Sequence, residues 1–120
     1  NIVAKLVDLR SHIEDADLVI TGEGKLDSTT FRNKTVMGVG SIVRDVAGKI
    51  NRKIPVIAIC GYVDKLDANI AKLYLDHIYP ASKKPIGMDE VRLNGEAYLR
   101  TAAQNAFKEL LHKRILKINI

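Results

Sequence analysis

The sequence predicts an α/β chain, a parallel sheet layered between helices. Short apolar runs rich in β-branched residues recur along it, each closed by a glycine or a proline. Such runs, apolar without alternation, are strands covered on both faces, the usual kind in parallel sheets. Between them lie stretches with apolar residues at helical spacing. Strand and helix alternate in the order of a sheet whose strands are joined by helical crossovers.

Ile2, Leu6, Leu9 and Ile13 are spaced for one face of a first helix. Leu18-Val19-Ile20 then reads as a strand that stops at Thr21-Gly22, followed by a polar loop over residues 22–34. Thr35 is placed to cap a helix reaching about Ala47, with Val36, Val39, Ile42, Val43 and Val46 inward and Gly48 as its stop. Ile54 to Cys60 is a second buried strand, with Pro55 at its start and Gly61 at its end. A helix over residues 67–75 and a short strand His77-Ile78-Tyr79 follow. Residues 81–94, with Pro85 and Gly87, read as a long surface loop. Gly95 to about Arg114 is the strongest helix, with Ala102, Ala103, Ala106, Phe107, Leu110 and Leu111 on its inner face. Ile115–Ile120 alternates as a last strand or continues the helix. Together these elements describe a Rossmann-like three-layer arrangement.

Composition narrows the class. With 120 residues, 47% of them hydrophobic and 28% charged, the chain fits one globular α/β domain, residues 1–120. The net charge of +5 is spread evenly: residues 1–60 carry 9 basic and 7 acidic side chains, residues 61–120 carry 10 and 7. Only Lys108 to Lys117 is locally basic, the size of one wet helix face, and no interleaved aromatics accompany it, so no nucleic-acid partner is expected. No apolar run approaches the ~20 residues of a membrane span, so neither a membrane nor a secretory route is expected and the chain is placed in the cytoplasm. The single cysteine, Cys60, sits at the end of an apolar strand without a histidine partner and reads as a small hydrophobe. His12, His77 and His112 show no metal-ligand spacing.

In parallel sheets ligands bind beyond the carboxyl ends of the strands. That directs attention to Gly22-Glu23-Gly24-Lys25-Leu26-Asp27-Ser28-Thr29-Thr30. The two glycines let the backbone come close to an anion, Glu23 and Asp27 supply carboxylates for Mg²⁺ or a hydroxyl, and Lys25 and Lys34 supply positive charge for phosphate oxygens. Phosphoryl transfer needs this combination, since its catalysis is mostly positioning and charge neutralisation. The same residues also make an ordinary βα turn with a solvated loop and a helix cap. Asp64 and Asp67 follow the second strand and share its end, and Tyr62 is placed to stack on a base or sugar or to pack within its loop.

The run Ala16-Asp17-Leu18-Val19-Ile20-Thr21-Gly22-Glu23-Gly24-Lys25-Leu26-Asp27 resembles the ADLVITGEGRLD segment of the type I glycerate kinase family. Asn33 to Val39 looks like that family's GKxPxGV element, Ile54 to Gly61 is similar to its VPVIAIAG strand, and the Glu96–Leu111 helix to its Ala-rich closing helix. The likeness covers residues 15–111 in one order. Lys25 replaces the usual arginine, which keeps the charge and loses the bidentate fork. Thr29 stands where glutamine is common, and Asn33 and Val36 where glycine and proline are expected.

The resemblance implies a C-terminal fragment of a larger two-domain kinase, with the active site in the cleft between domains. It implies transfer of the ATP γ-phosphoryl group to D-glycerate with Mg²⁺. Asp27 and Glu23 would be catalytic and hold the metal; Gly22, Gly24, Lys25, Lys34 and Thr29 would bind substrate or phosphate. The remainder of the parent enzyme would be its partner, and an edge left open would drive self-association. The alternative is a non-catalytic α/β module that binds a nucleotide or a partner at the same strand ends.

Overall fold

The computed structural model describes residues 8–27 and 35–113. The sequence expectations for residues 1–7 and for Ile115–Ile120 lie outside them. The elements run α1 (Leu9–Glu14), β1 (Val19–Leu26), α2 (Thr35–Ile50), β2 (Val56–Val63), α3 (Ala68–Ala71), β3 (His77–Pro80) and α4 (Met88–His112). The three strands form one open parallel sheet in the order β1-β2-β3. Helices cover both sides, so the expected α/β layering holds.

One face carries the larger core. Val56, Ala58 and Cys60 of β2 pack there with Leu26, with Val36, Val43 and Val46 of α2, and with Ala71 and Leu75 around α3. Ile13 of α1 closes the same cluster. The alternate β2 positions face the other way: Ile57 packs with Tyr79, Ala106 and Leu110 under α4, and Ile59 lies against this smaller cluster. Period-two alternation therefore divides β2 between two cores, which is why its sequence is apolar at every position.

β1 differs from expectation on two counts. It is not buried on both faces: Ile20 is 45% exposed. α4 packs mainly on β2 and β3, and among the described residues β1 forms one edge of the sheet. Nor does β1 stop at Gly22. It stays paired with β2 through Leu26↔Val63, and β2 likewise runs past Gly61. The residues read as a loop, Gly22 to Leu26, are the second half of a strand. Small side chains let the two backbones close up there; a Cβ on Gly61 would stand 2.3 Å from the Gly24 carbonyl oxygen.

The helix ends are set by local hydrogen bonds. α2 does not end at Gly48. Asn51 takes the left-handed conformation at φ 52°. Its N–H donates to the Gly48 carbonyl and the Arg52 N–H to the Ala47 carbonyl, the paired closure of a Schellman motif. Arg52 then donates to the carbonyls of Ala16 and Glu14, tying α1 to the end of α2. Asp67 caps α3 by accepting from the N–H groups of Asn69 and Ile70. α3 is one turn rather than the helix expected over residues 67–75, because tighter turns, Leu73 to Ile70 and Tyr74 to Ala71, take over before β3.

The expected loop over residues 81–94 is half helix. α4 begins at Met88, with Asp89 and Glu90 in its first turn, where the helix dipole favours acids. Its inner face is narrower than expected: Ala102, Ala106 and Leu110 are buried, but Phe107 and Leu111 are 41% and 38% exposed. A helix resting on two strands with no neighbour beside it buries a single i, i+4 row. No described helix is long and apolar enough to cross a membrane.

Candidate functional site

The second halves of β1 and β2, the segment after β3 and the first half of α4 enclose a cleft of about 760 Å³ at the carboxyl ends of the strands. Its floor is strand backbone at Gly22, Gly24 and Gly61. Glu23, Lys25 and Tyr62 border that floor, and Ile59 lies deeper. The opposite wall is α4, through Val91, Gly95, Tyr98 and Leu99, with Ala81 and Ile86 at the side.

Four of the residues singled out in the sequence, Gly22, Glu23, Gly24 and Lys25, thus line one cleft. Asp27 is not in the lining. It follows the end of β1, where its carboxylate lies 3.4 Å from Lys25 Nζ, and Asp64 reaches the same ammonium at 3.8 Å. Lys25 also stands 5.9 Å from the centre of the Tyr62 ring. Tyr62, together with Asp27 and Asp64, pushes the Lys25 ammonium above its ordinary pKa, so it stays cationic. Lys25 is therefore a positive charge at the cleft border, flanked by the acids that follow two strands.

Glu23 is exposed, and its Oε1 accepts from the Gly24 N–H at 3.1 Å. Glu23 and Asp27 are four positions apart on extended chain, roughly 13 Å between Cα atoms. Thr29 and Lys34 lie outside the described residues. Asp67 is occupied in capping α3, away from the cleft lining. Among the described residues no three His, Cys, Asp or Glu side chains gather as a metal site. Burial pushes the Cys60 thiol up to about 11, so it is the inert hydrophobe its strand suggests. His12 and His112 are exposed and His77 is half-buried on β3.

The α4 wall was not anticipated. Val91, Gly95 and Leu99, spaced by four, lead after a three-residue step into the buried row Ala102, Ala106, Leu110. That row was available in the sequence, but Pro85 and Gly87 made residues 81–94, and Val91 with them, read as loop. Tyr98 stands beside the row and donates its hydroxyl to Glu90 Oε1 at 2.8 Å; Asn94 donates to the same oxygen at 2.9 Å. Glu90 raises the Tyr98 pKa, first through that hydrogen bond and then through its charge, so the phenol stays protonated.

The described residues thus form an open parallel α/β sheet with a glycine-floored cleft at its carboxyl ends and a lysine at the border. The sequence profile of the glycerate kinase family matches residues 1–111, and the chain belongs to that family. It is 29% identical over 105 residues to "Glycerate kinase" of Bacillus subtilis (strain 168), covering 88% of this chain and 26% of that protein. It is 31% identical over 112 residues to the Haemophilus influenzae "Glycerate kinase", covering 93% and 28%. With the Escherichia coli (strain K12) "Glycerate 2-kinase" it shares 43% identity over 60 residues, 50% of this chain and 14% of that protein. The chain spans about a quarter of the length of the first two relatives, 26% and 28%.

Proposed function

We propose that the chain is the C-terminal portion of a glycerate kinase that transfers the γ-phosphoryl group of ATP to a hydroxyl of D-glycerate, and that it forms one wall of the active site. The observation that carries this reading is the convergence of Gly22, Glu23, Gly24 and Lys25 on one cleft in a member of the family. The bare backbone of the two glycines leaves room for the bound substrate, and Lys25, at the polar border of the cleft, neutralises the charge of its phosphate oxygens. Glu23 keeps its assignment to Mg²⁺ through the family motif; that ion uses few protein ligands beside phosphates and is held directly or through its water shell. Bound there, the metal would neutralise charge on the phosphate oxygens.

Asp27, 3.4 Å from Lys25 Nζ, positions that ammonium, and it keeps its assignment to Mg²⁺ or to the glycerate hydroxyl through the family motif. Lys34 and Thr29 keep their assignment as substrate- or phosphate-binding residues through the family motif alone. The rest of the parent polypeptide supplies the facing wall that excludes water and aligns donor with acceptor. The exposed edge of β1 is where it would continue the sheet, and self-association through that edge is expected when it is missing. A cytoplasmic location belongs to the same reading.

The test is ³¹P NMR of the parent enzyme with Mg-ATP and D-glycerate. Glycerate-dependent phosphoester formation is expected, and Asp27→Asn should slow it by about 10²-fold or more. Binding of ATP with no turnover in the complete enzyme would overturn the kinase reading and leave a nucleotide-binding module.

A further inference from the structure

The cleft has two chemically different ends. Lys25 and Glu23 mark a polar border; the remainder is apolar, with Ile59, Ile86, Val91 and Leu99 in its walls. Its volume of about 760 Å³ is that of a site for a sizeable organic ligand. Glycerate bears an oxygen on every carbon and has no surface to bury against Val91 or Leu99. A nucleobase has two apolar faces, and it is joined through a sugar to phosphates that the polar end would take.

The shape agrees. The floor is backbone at Gly22 and Gly24, and a Cβ on Gly24 would meet no heavy atom within 4 Å. Across from it, Gly95 lies inside α4, where glycine costs about 1 kcal/mol relative to alanine. A Cβ there would come no closer than 3.4 Å, to Val91 Cγ1, so packing within the fold does not demand glycine. What a side chain at either position would take up is the space between strand and helix. Val91 and Leu99, exposed by 42% and 52%, flank Gly95 on the same helix row and present apolar surface to that space.

We propose that the slot between the Gly22–Gly24 backbone and the Val91–Gly95–Leu99 row of α4 receives the nucleobase of ATP, making this chain the nucleotide half of the active site and Gly95 and Leu99 determinants of nucleotide affinity. The proposal rests on the kinase reading for the identity of the nucleotide. Tyr98, its hydroxyl engaged by Glu90, also lines the slot. D-Glycerate is then bound largely by the other wall.

The experiment uses the parent enzyme with two variants, Gly95→Leu, which fills the slot, and Leu99→Asp, which places a charge at a position that is half exposed. Isothermal titration with ADP and with pyrophosphate is paired with KM values for ATP and D-glycerate. Each variant should weaken ADP and raise the KM for ATP by about tenfold or more, leaving pyrophosphate affinity and the KM for D-glycerate unchanged. Parallel weakening of ADP and pyrophosphate, a rise in the glycerate KM instead, or no change in either nucleotide parameter would overturn the slot assignment. Should one variant fail to fold, as judged by circular dichroism, the other decides. If the parent does not phosphorylate glycerate yet binds ADP more tightly than pyrophosphate in a Leu99-dependent way, the kinase reading falls and the slot stands.

Discussion

The two faces of the sheet are built to different ends. Under α2 and α3, side chains from four elements close on Val56, Ala58 and Cys60, and the residues there are almost fully buried. Under α4 the core among the described residues is smaller, Ile57, Tyr79, Ala106 and Leu110, with Ile59 between it and the cleft. Toward the carboxyl ends of the strands this second face opens, side chains give way to glycine, and apolar residues of α4 face space. Burial of apolar area stabilises the fold and leaves no room for a ligand; the face that hosts chemistry is the one that gives up part of its packing.

The comparison breaks most directly with a matched pair of leucines. Leu26, fully buried on the packed face, should cost about 2–5 kcal/mol when replaced by alanine, read as a shift of the urea midpoint. Leu99→Ala on the open face should change stability by no more than about 0.5 kcal/mol. Equal losses would mean that the cleft wall is part of the core and not a binding surface.

A smaller effect tests the electrostatic tie at the amino ends of the strands. Asp76 accepts two hydrogen bonds from the Arg44 guanidinium, at 3.0 and 3.2 Å, and one from the Val56 N–H at 2.7 Å. Burial pushes this carboxyl up, but Arg44 and the Val56 N–H outweigh it and hold its pKa below the ordinary 3.8. A carboxyl lowered by folding stabilises the protein above its unfolded value and loses that contribution as the pH falls through the folded one. Asp76→Ala should cost about 1–3 kcal/mol at neutral pH, and the gap to the unaltered protein should narrow below pH 3.8. A gap constant down to pH 2 would show that the carboxylate charge is not what holds β2 to the turn before β3.

The smallest effect has the opposite sign. Gly95→Ala should raise stability by up to about 1 kcal/mol, because α4 gains helix propensity at a position with room for a methyl group. A stabilised variant that binds nucleotide less well would sharpen the contrast between packing and function. A destabilised one would place Gly95 in the fold's own packing.

Much of this was legible in the chain itself, and for local reasons. Strand β2 announced itself by an unbroken apolar run, α2 by its inward valines and the α3 cap by Asp67, and the two glycines between Thr21 and Lys25 pointed to the strand ends where a cleft is found. These features act within a few residues, through periodicity, capping and backbone freedom. The length of β1 was not legible: Gly22 and Gly24 are loop residues by propensity, and only pairing with β2 makes them strand. Nor was it evident that β1 would be half exposed, since an apolar run states what can be buried and not what covers it. The cleft is the clearest case. Its floor and its α4 wall lie 75 positions apart, from Gly24 to Leu99, and both depend on glycines whose small size signals a turn in sequence but an approach between elements in space. Sequence alone determined which residues carry charge, caps and apolar rows; the tertiary structure decided which of them share a cavity, because that depends on contacts between segments that no local pattern encodes.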